Sequence, residues 1–156
     1  MLQPRLIVAD EPVSMIDASL RATVLASLRK LNQDFRISLI YITHDLTTAY
    51  QIAEDIVTLY RGSVTESGDV ERVVKEPQHP YTQLLVGSIP MPDPRHKWGS
   101  GLGAIIWARE GGTGTGCKFW HPCPRAMPRC RDAHPPSYRT HGRQEVAGYL
   151  YENVVI

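Results

Sequence analysis

The chain opens on an unbroken apolar run, Leu6-Ile7-Val8-Ala9, that passes directly into two carboxylates and a proline, Asp10-Glu11-Pro12. A short run of this kind predicts a strand buried on both faces of a parallel sheet. Proline cannot donate to a ladder, so the strand should stop near Pro12. From Asp17 to about Gln33 the spacing changes to that of a helix. Leu20, Val24, Leu28 and Leu31, with Leu25 beside them, mark one apolar stripe, while Arg21, Arg29 and Lys30 fall elsewhere. Asp17 is placed to accept from the first free backbone N–H groups of that helix. Phe35 to Ile42 returns to a β-rich pattern, and Asp45 to Ala53 predicts a second, shorter helix. This β–α–β–α order with short links favours a parallel sheet with right-handed crossovers.

Downstream, two β-rich runs between Asp55 and Gly68 flank Arg61-Gly62 and predict a hairpin. Asp69 then caps a short helix, Val70 to Lys75, and helical spacing resumes from Tyr81 to Ser88 after the Pro77–Pro80 break. Ile89 to Gly116 is rich first in proline and then in glycine, which marks a linker or loop. Its one apolar island, Ala104 to Ala108, is a candidate short strand.

Composition narrows the class. At 156 residues, 42% hydrophobic and 21% charged, the chain fits one ordinary soluble domain, or one and a fraction. A formal net charge of +1 gives no indication of a nucleic-acid partner. No run approaches the length of a membrane span, and the N-terminus carries no charged leader followed by an apolar stretch. The three cysteines, Cys117, Cys123 and Cys130, are odd in number and close together. They argue for a local thiolate cluster in a reducing compartment and against a disulfide framework.

Three groups of residues carry candidate chemistry. Asp10 and Glu11 sit where ligands bind in open α/β sheets, at the carboxyl end of a strand. They read either as solvated acids or as partners of a hydrated divalent cation with phosphate oxygens. His44 ends the next strand on the same edge. The cysteines, spaced C-x5-C-x6-C with Pro122, Pro124 and Pro128 between them, are soft ligands suited to zinc or an iron–sulfur cluster, or else free thiols in a proline-braced loop. Six basic side chains between 117 and 143, against the single acid Asp132, form either a solvated surface or a face for phosphates or anionic head groups.

The order acid pair, then Ser14-Met15-Ile16-Asp17, then Thr43-His44-Asp45 after the second strand resembles the C-terminal half of the ATPase domain of ABC transporters, over roughly residues 4–90. Asp10-Glu11 resembles the end of the Walker B strand, Ser14 to Asp17 the D-loop, and His44 the switch histidine. Pro77 to Leu85 resembles the C-terminal extension of the oligopeptide and dipeptide importer branch. The fold implied is α/β, part of a P-loop NTPase domain over residues 1–76, followed over 77–156 by a small irregular Cys-rich extension. The function implied is an ATP-binding subunit that energises peptide import, at the cytoplasmic face of the membrane, peripherally attached. Its implied partners are a second ABC ATPase subunit and transmembrane permease subunits, with no nucleic acid. Asp10 is then the Mg2+ residue, Glu11 the general base, His44 the γ-phosphate contact, and Ser14 and Asp17 the loop that meets the partner subunit.

In the same branch the cysteine-rich tail is associated in some members with a [4Fe–4S] cluster, which makes Cys117, Cys123 and Cys130 candidate ligands. A fourth cysteine, expected shortly after Gly142-Arg143, is replaced by Gln144-Glu145-Val146-Ala147, and His121, His134 or His141 is left as a substitute. No Gly-Lys-Ser/Thr triplet of a phosphate-cradling loop occurs in the 156 residues. The expectation is therefore a fragment or truncated product that does not hydrolyse ATP by itself. The competing expectations are a non-enzymatic metal or redox module built on the cysteines, and an inert remnant.

Overall fold

The computed structural model describes residues 4–89 and 115–152. It is a mixed α/β chain whose contacts divide it into two compact units, residues 1–53 and 54–156. The hairpin expected to close the first domain therefore shares its unit with the extension that follows it. The Ala104–Ala108 island lies outside the described residues.

In the first unit, strand β1 (Leu6–Asp10) pairs in parallel with β2 (Ser38–Ile42), with Asp10 opposite Ile42. Helix α1 (Ala18–Phe35) connects them, and α2 (Leu46–Ile52) follows β2. The helix runs two residues past its expected end and stops at Arg36, which takes a left-handed φ of 56°. Two details differ from the sequence expectation. First, β1 is not buried on both faces: Leu6 is 49% and Val8 58% exposed, and Ile40 and Ile42 of β2 are open in the same way. Alternate residues of a strand share a face, and parallel register puts Val8 beside Ile40. A pair of strands has nothing on that face to cover these side chains among the described residues. Second, the inner stripe of α1 centres on Leu25, its buried residue, while Leu20 faces outward. Arg21 lies on the inner side of the helix, half-buried.

In the second unit, β3 (Asp55–Tyr60) and β4 (Ser63–Asp69) form the expected hairpin. Arg61 and Gly62 both have positive φ, 48° and 77°, as a two-residue turn matching the strand twist requires. Asp69 caps α3 (Val70–Lys75) by accepting from the Arg72 N–H at 3.2 Å. Helix α4 (Pro80–Gly87) begins at its proline, where the missing N–H costs nothing.

The extension is less irregular than its composition implies. After the short helix α5 (Arg129–Asp132), strands β5 (Ser137–Arg139) and β6 (Glu145–Ala147) add to the hairpin to give a four-stranded antiparallel sheet in the order β3-β4-β6-β5. A 3₁₀ turn, Tyr149–Tyr151, closes the described chain. Runs of three residues are too short to show alternation, so only partner strands reveal them.

The register slips between Thr58 and Leu59, which leaves Thr65 as an extra residue in β4. A bulge of this kind re-aims side chains, and here it lets the consecutive residues Thr65 and Glu66 both turn inward. Phe119, 2% exposed, packs edge-on to Tyr60 at 5.0 Å and to Tyr81 at 5.5 Å, which fastens the cysteine-bearing loop to the hairpin and α4. Among the described residues no helix is long and apolar enough to cross a membrane.

Candidate functional site

The carboxyl ends of β1 and β2 bring together two residues 33 positions apart. Just past β1, Glu11 takes a φ of 48°, uncommon for a residue with a side chain, and its N–H donates to the Ile42 carbonyl at 2.9 Å. This turn aims its carboxylate at the end of β2. There Oε1 accepts the backbone N–H of His44 at 3.1 Å and faces ring atom Nδ1 at 2.6 Å. A carboxylate only accepts, so the ring proton of this contact sits on Nδ1. The Glu11 side chain is 35% exposed and His44 79%, so the pair is open to solvent on the imidazole side. A carboxylate held against an imidazole can accept a proton from a reacting group and pass or share it. Ser14 folds back on the same turn, its N–H and hydroxyl donating to the Glu11 carbonyl at 3.2 and 3.0 Å.

Asp10 is exposed at the end of β1 beside this pair. Asp17 lies one turn further along the loop and caps α1: its Oδ1 accepts from the N–H groups of Ser19 and Leu20, each at 3.1 Å, and from the Ser19 hydroxyl at 2.6 Å. The Ser19 hydroxyl, followed by the Leu20 N–H, holds the Asp17 carboxyl below the ordinary carboxylate range. Thus Asp10, Glu11, Ser14 and His44 gather at one sheet edge, and Asp17 is committed to its helix.

Asp45, next to His44, caps α2. Its Oδ1 accepts from the Thr47 N–H at 2.9 Å and from the Thr47 hydroxyl, and Oδ2 meets the Arg21 guanidinium at 3.5 Å. Partial burial works against this carboxylate, but the Thr47 bonds, the Thr48 N–H and Arg21 outweigh it and lower its pKa. Neither Asp45 nor Arg21 stood out in the sequence. The cap signal at Asp45 was readable; the partner on α1 was not.

In the second unit the three thiols lie in one loop and helix. The Cys117 N–H donates to the Cys130 carbonyl at 2.8 Å, and Gly116 passes so close that a Cβ there would meet the Arg131 carbonyl oxygen at 2.3 Å. Burial raises the Cys117 and Cys123 thiols above the ordinary cysteine value; Cys130 adds to this at both, and Cys117 adds to it at Cys123. Yet among the described residues no group of three or more His, Cys, Asp or Glu side chains is arranged to hold a metal ion. None of His121, His134 and His141 completes a ligand set with the cysteines.

A residue that sequence reasoning passed over organises this unit. Glu66 is fully buried, and its carboxylate accepts from the N–H groups of Gln78 (3.0 Å) and His79 (2.9 Å) and from the Gln144 amide (2.7 Å). One side chain thereby joins the hairpin, the Pro77–Pro80 segment and the end of the chain. His79 caps α4 through Nδ1, which accepts the Tyr81 N–H at 3.0 Å, and burial pushes its pKa down to about 4. Nothing in an isolated Glu within a hairpin signals either arrangement.

Comparison with known proteins gives this architecture a class. Residues 65–130, which run from the bulge of β4 to the third cysteine, match the family described as the C-terminal region of oligopeptide/dipeptide transporters. Over most of its length the chain is similar to proteins described as ATP-binding proteins of peptide transport. It is 36% identical to the oligopeptide transport ATP-binding protein OppF of Salmonella typhimurium, over 86% of this chain and 41% of that protein. It is 36% identical to the oligopeptide transport ATP-binding protein AppD of Bacillus subtilis, over 96% and 45%. It is 35% identical to the di/tripeptide transport ATP-binding protein DppF of Pseudomonas aeruginosa, over 94% and 45%. The chain spans less than half the length of these relatives.

Proposed function

We propose that this chain is part of an ATP-hydrolysing subunit that drives uptake of peptides, and that the Glu11–His44 pair is its hydrolytic edge. The observation that carries the proposal is the 2.6 Å contact between Glu11 Oε1 and His44 Nδ1 at the carboxyl ends of two parallel strands, in a chain related to transport ATP-binding proteins. When bound, ATP would supply the phosphoryl group and Mg2+ would neutralise its charge, and transfer to water depends on positioning and charge neutralisation more than on covalent chemistry.

The chain's own residues divide the remaining work. Glu11 is the general base that takes a proton from water, and the His44 N–H on Oε1 fixes which way its carboxylate faces. His44 presents the exposed side of its ring to the phosphate. Asp10 is the residue that holds Mg2+, which ordinarily takes one or two carboxylates together with phosphate oxygens and waters, so a lone exposed acid fits it. Ser14 holds the turn that carries Glu11, and Asp17 caps the helix that faces a second ATPase subunit. The site of action is the cytoplasmic face of the membrane, against permease subunits. The three thiols do not fit a cubane cluster in the same way: four cysteine ligands are needed and three are present. No step of the reaction is assigned to them.

The test is a chimera in which these residues replace the aligned segment of the Salmonella protein. Restored peptide uptake in a strain lacking that protein, lost again with Glu11→Gln, is the expected result. A soluble, expressed chimera with no uptake, or one indifferent to Glu11→Gln, refutes the proposal. The purified chain alone, which contains no Gly-Lys-Ser/Thr triplet, should show no Mg2+-dependent ATP turnover.

A further inference from the structure

Helix α1 and the switch histidine are joined by a contact that the hydrolytic reading leaves unused. Arg21 stands one turn into α1, where its N–H donates to the carbonyl of the capping Asp17 at 2.9 Å. Its side chain lies on the inner face of the helix and is half-buried, and its Nε is buried with no hydrogen-bond partner. A guanidinium that sheds water without filling all its bonds does not stand there for its own stability. Its NH1 meets Asp45 Oδ2 at 3.5 Å, a pair too open to contribute much to folding.

What the pair touches is more telling than its strength. Asp45 is held at every polar group. Oδ1 accepts from Thr47, Oδ2 from Arg21, the Asp45 N–H donates to the Thr43 hydroxyl at 3.0 Å, and the Asp45 carbonyl accepts from the Thr48 hydroxyl at 2.8 Å. One peptide bond away, the His44 N–H and ring are bonded to Glu11. His44 therefore sits between two anchors, Glu11 on one side and Asp45 on the other, and only the second is reached from α1.

We propose that Arg21 is a positioning residue for His44: through Asp45 it ties the helix that begins at Asp17 to the Glu11–His44 pair, so that movement of the Asp17 turn is passed to the histidine. This rests on the reading of Glu11–His44 as the hydrolytic pair and extends it to the regulation of that site.

The test uses the 15N-labelled chain and reads the His44 backbone amide and the His44 Nδ1 proton. Glu11→Gln serves as the reference and should shift both signals. Arg21→Met and Asp45→Asn should each shift the same two signals, the double variant should add little to either, and Arg21→Lys should restore part of the effect. Amides of the first unit away from the pair, such as that of Ser38, which donates to the Arg5 carbonyl at 2.9 Å, report that the fold is retained. If Glu11→Gln moves His44 and neither Arg21→Met nor Asp45→Asn does, the positioning role is refuted and the hydrolytic pair stands. If Glu11→Gln leaves His44 unmoved, the pair itself is refuted and the inference falls with it. A variant that fails to fold is replaced by its partner on the other side of the ion pair, which tests the same link.

Discussion

Replacing Glu66 by alanine exposes how the second unit is held together. The wild-type carboxylate is fully buried and takes three donors: the Gln78 N–H, the His79 N–H and the Gln144 amide, at 3.0, 2.9 and 2.7 Å. Alanine removes the acceptor and leaves all three donors in a site that water does not reach. A buried donor left without a partner costs about 1–3 kcal/mol. Three of them, with partial relaxation, give a loss of about 3–5 kcal/mol. A domain of this size is stable by about 5–15 kcal/mol in total, so the variant should be close to unfolding at 37 °C. Glu66→Gln keeps one acceptor oxygen and turns an NH2 group toward donors, so it should fall between wild type and Glu66→Ala. The assay is urea unfolding followed by circular dichroism, paired with hydrogen exchange of the Gln78 and His79 amides. A loss below about 1 kcal/mol with unchanged exchange at those two amides would refute the claim that Glu66 joins hairpin, loop and chain end.

Three further outcomes follow from the same structure. His79 is kept neutral by burial with a pKa of about 4, whereas the unfolded chain titrates at the ordinary 6.5. Stability is therefore intact above pH 6.5 and falls as the pH drops toward 4, because the unfolded state takes up a proton that the folded state refuses; that gap corresponds to about 3 kcal/mol at most, and His79→Asn, which can still cap α4, should flatten the acid limb of unfolding free energy against pH. Gly116→Ala puts a Cβ 2.3 Å from the Arg131 carbonyl oxygen, so the 115–117 segment must leave the 130–132 segment, and the buried Cys130 should change from the slowest to a fast-reacting thiol in labelling with a disulfide reagent. Asp17→Ala removes the cap of α1, so amides of its first turn should lose exchange protection while Asp17→Asn keeps it; because the Ser19 hydroxyl holds the Asp17 carboxyl low, the wild-type cap should survive at neutral pH and weaken only as the pH falls through the carboxylate range.

The elements with local signals were legible in the residues themselves. The period of α1, the Asp17 and Asp69 caps, the Arg61-Gly62 turn and the acid–proline end of β1 each depend on backbone chemistry within a few residues, which a linear pattern records. So was the candidate site: an acid pair and a histidine, each at the end of a strand, predict a shared sheet edge, and Glu11 and His44 meet there. Arg21 was misplaced for a different reason. A charged residue on a helix reads as outward, and only the packing of α1 against β2, with Asp45 beyond it, turns it in.

What the tertiary structure alone decided is how the second unit is completed around its hairpin and helices. Strands of three residues carry no periodicity, so β5 and β6 exist only through the partners that supply their hydrogen bonds. The inward turn of Glu66 depends on a bulge, and its burial depends on donors 12, 13 and 78 residues away. The exposure of β1 and β2 on one face is likewise a matter of what lies across the sheet, which a run of apolar residues requires but does not name. Local chemistry is written along the chain; the compensation of a buried charge, and the cover for an apolar face, come from residues that only the fold brings near.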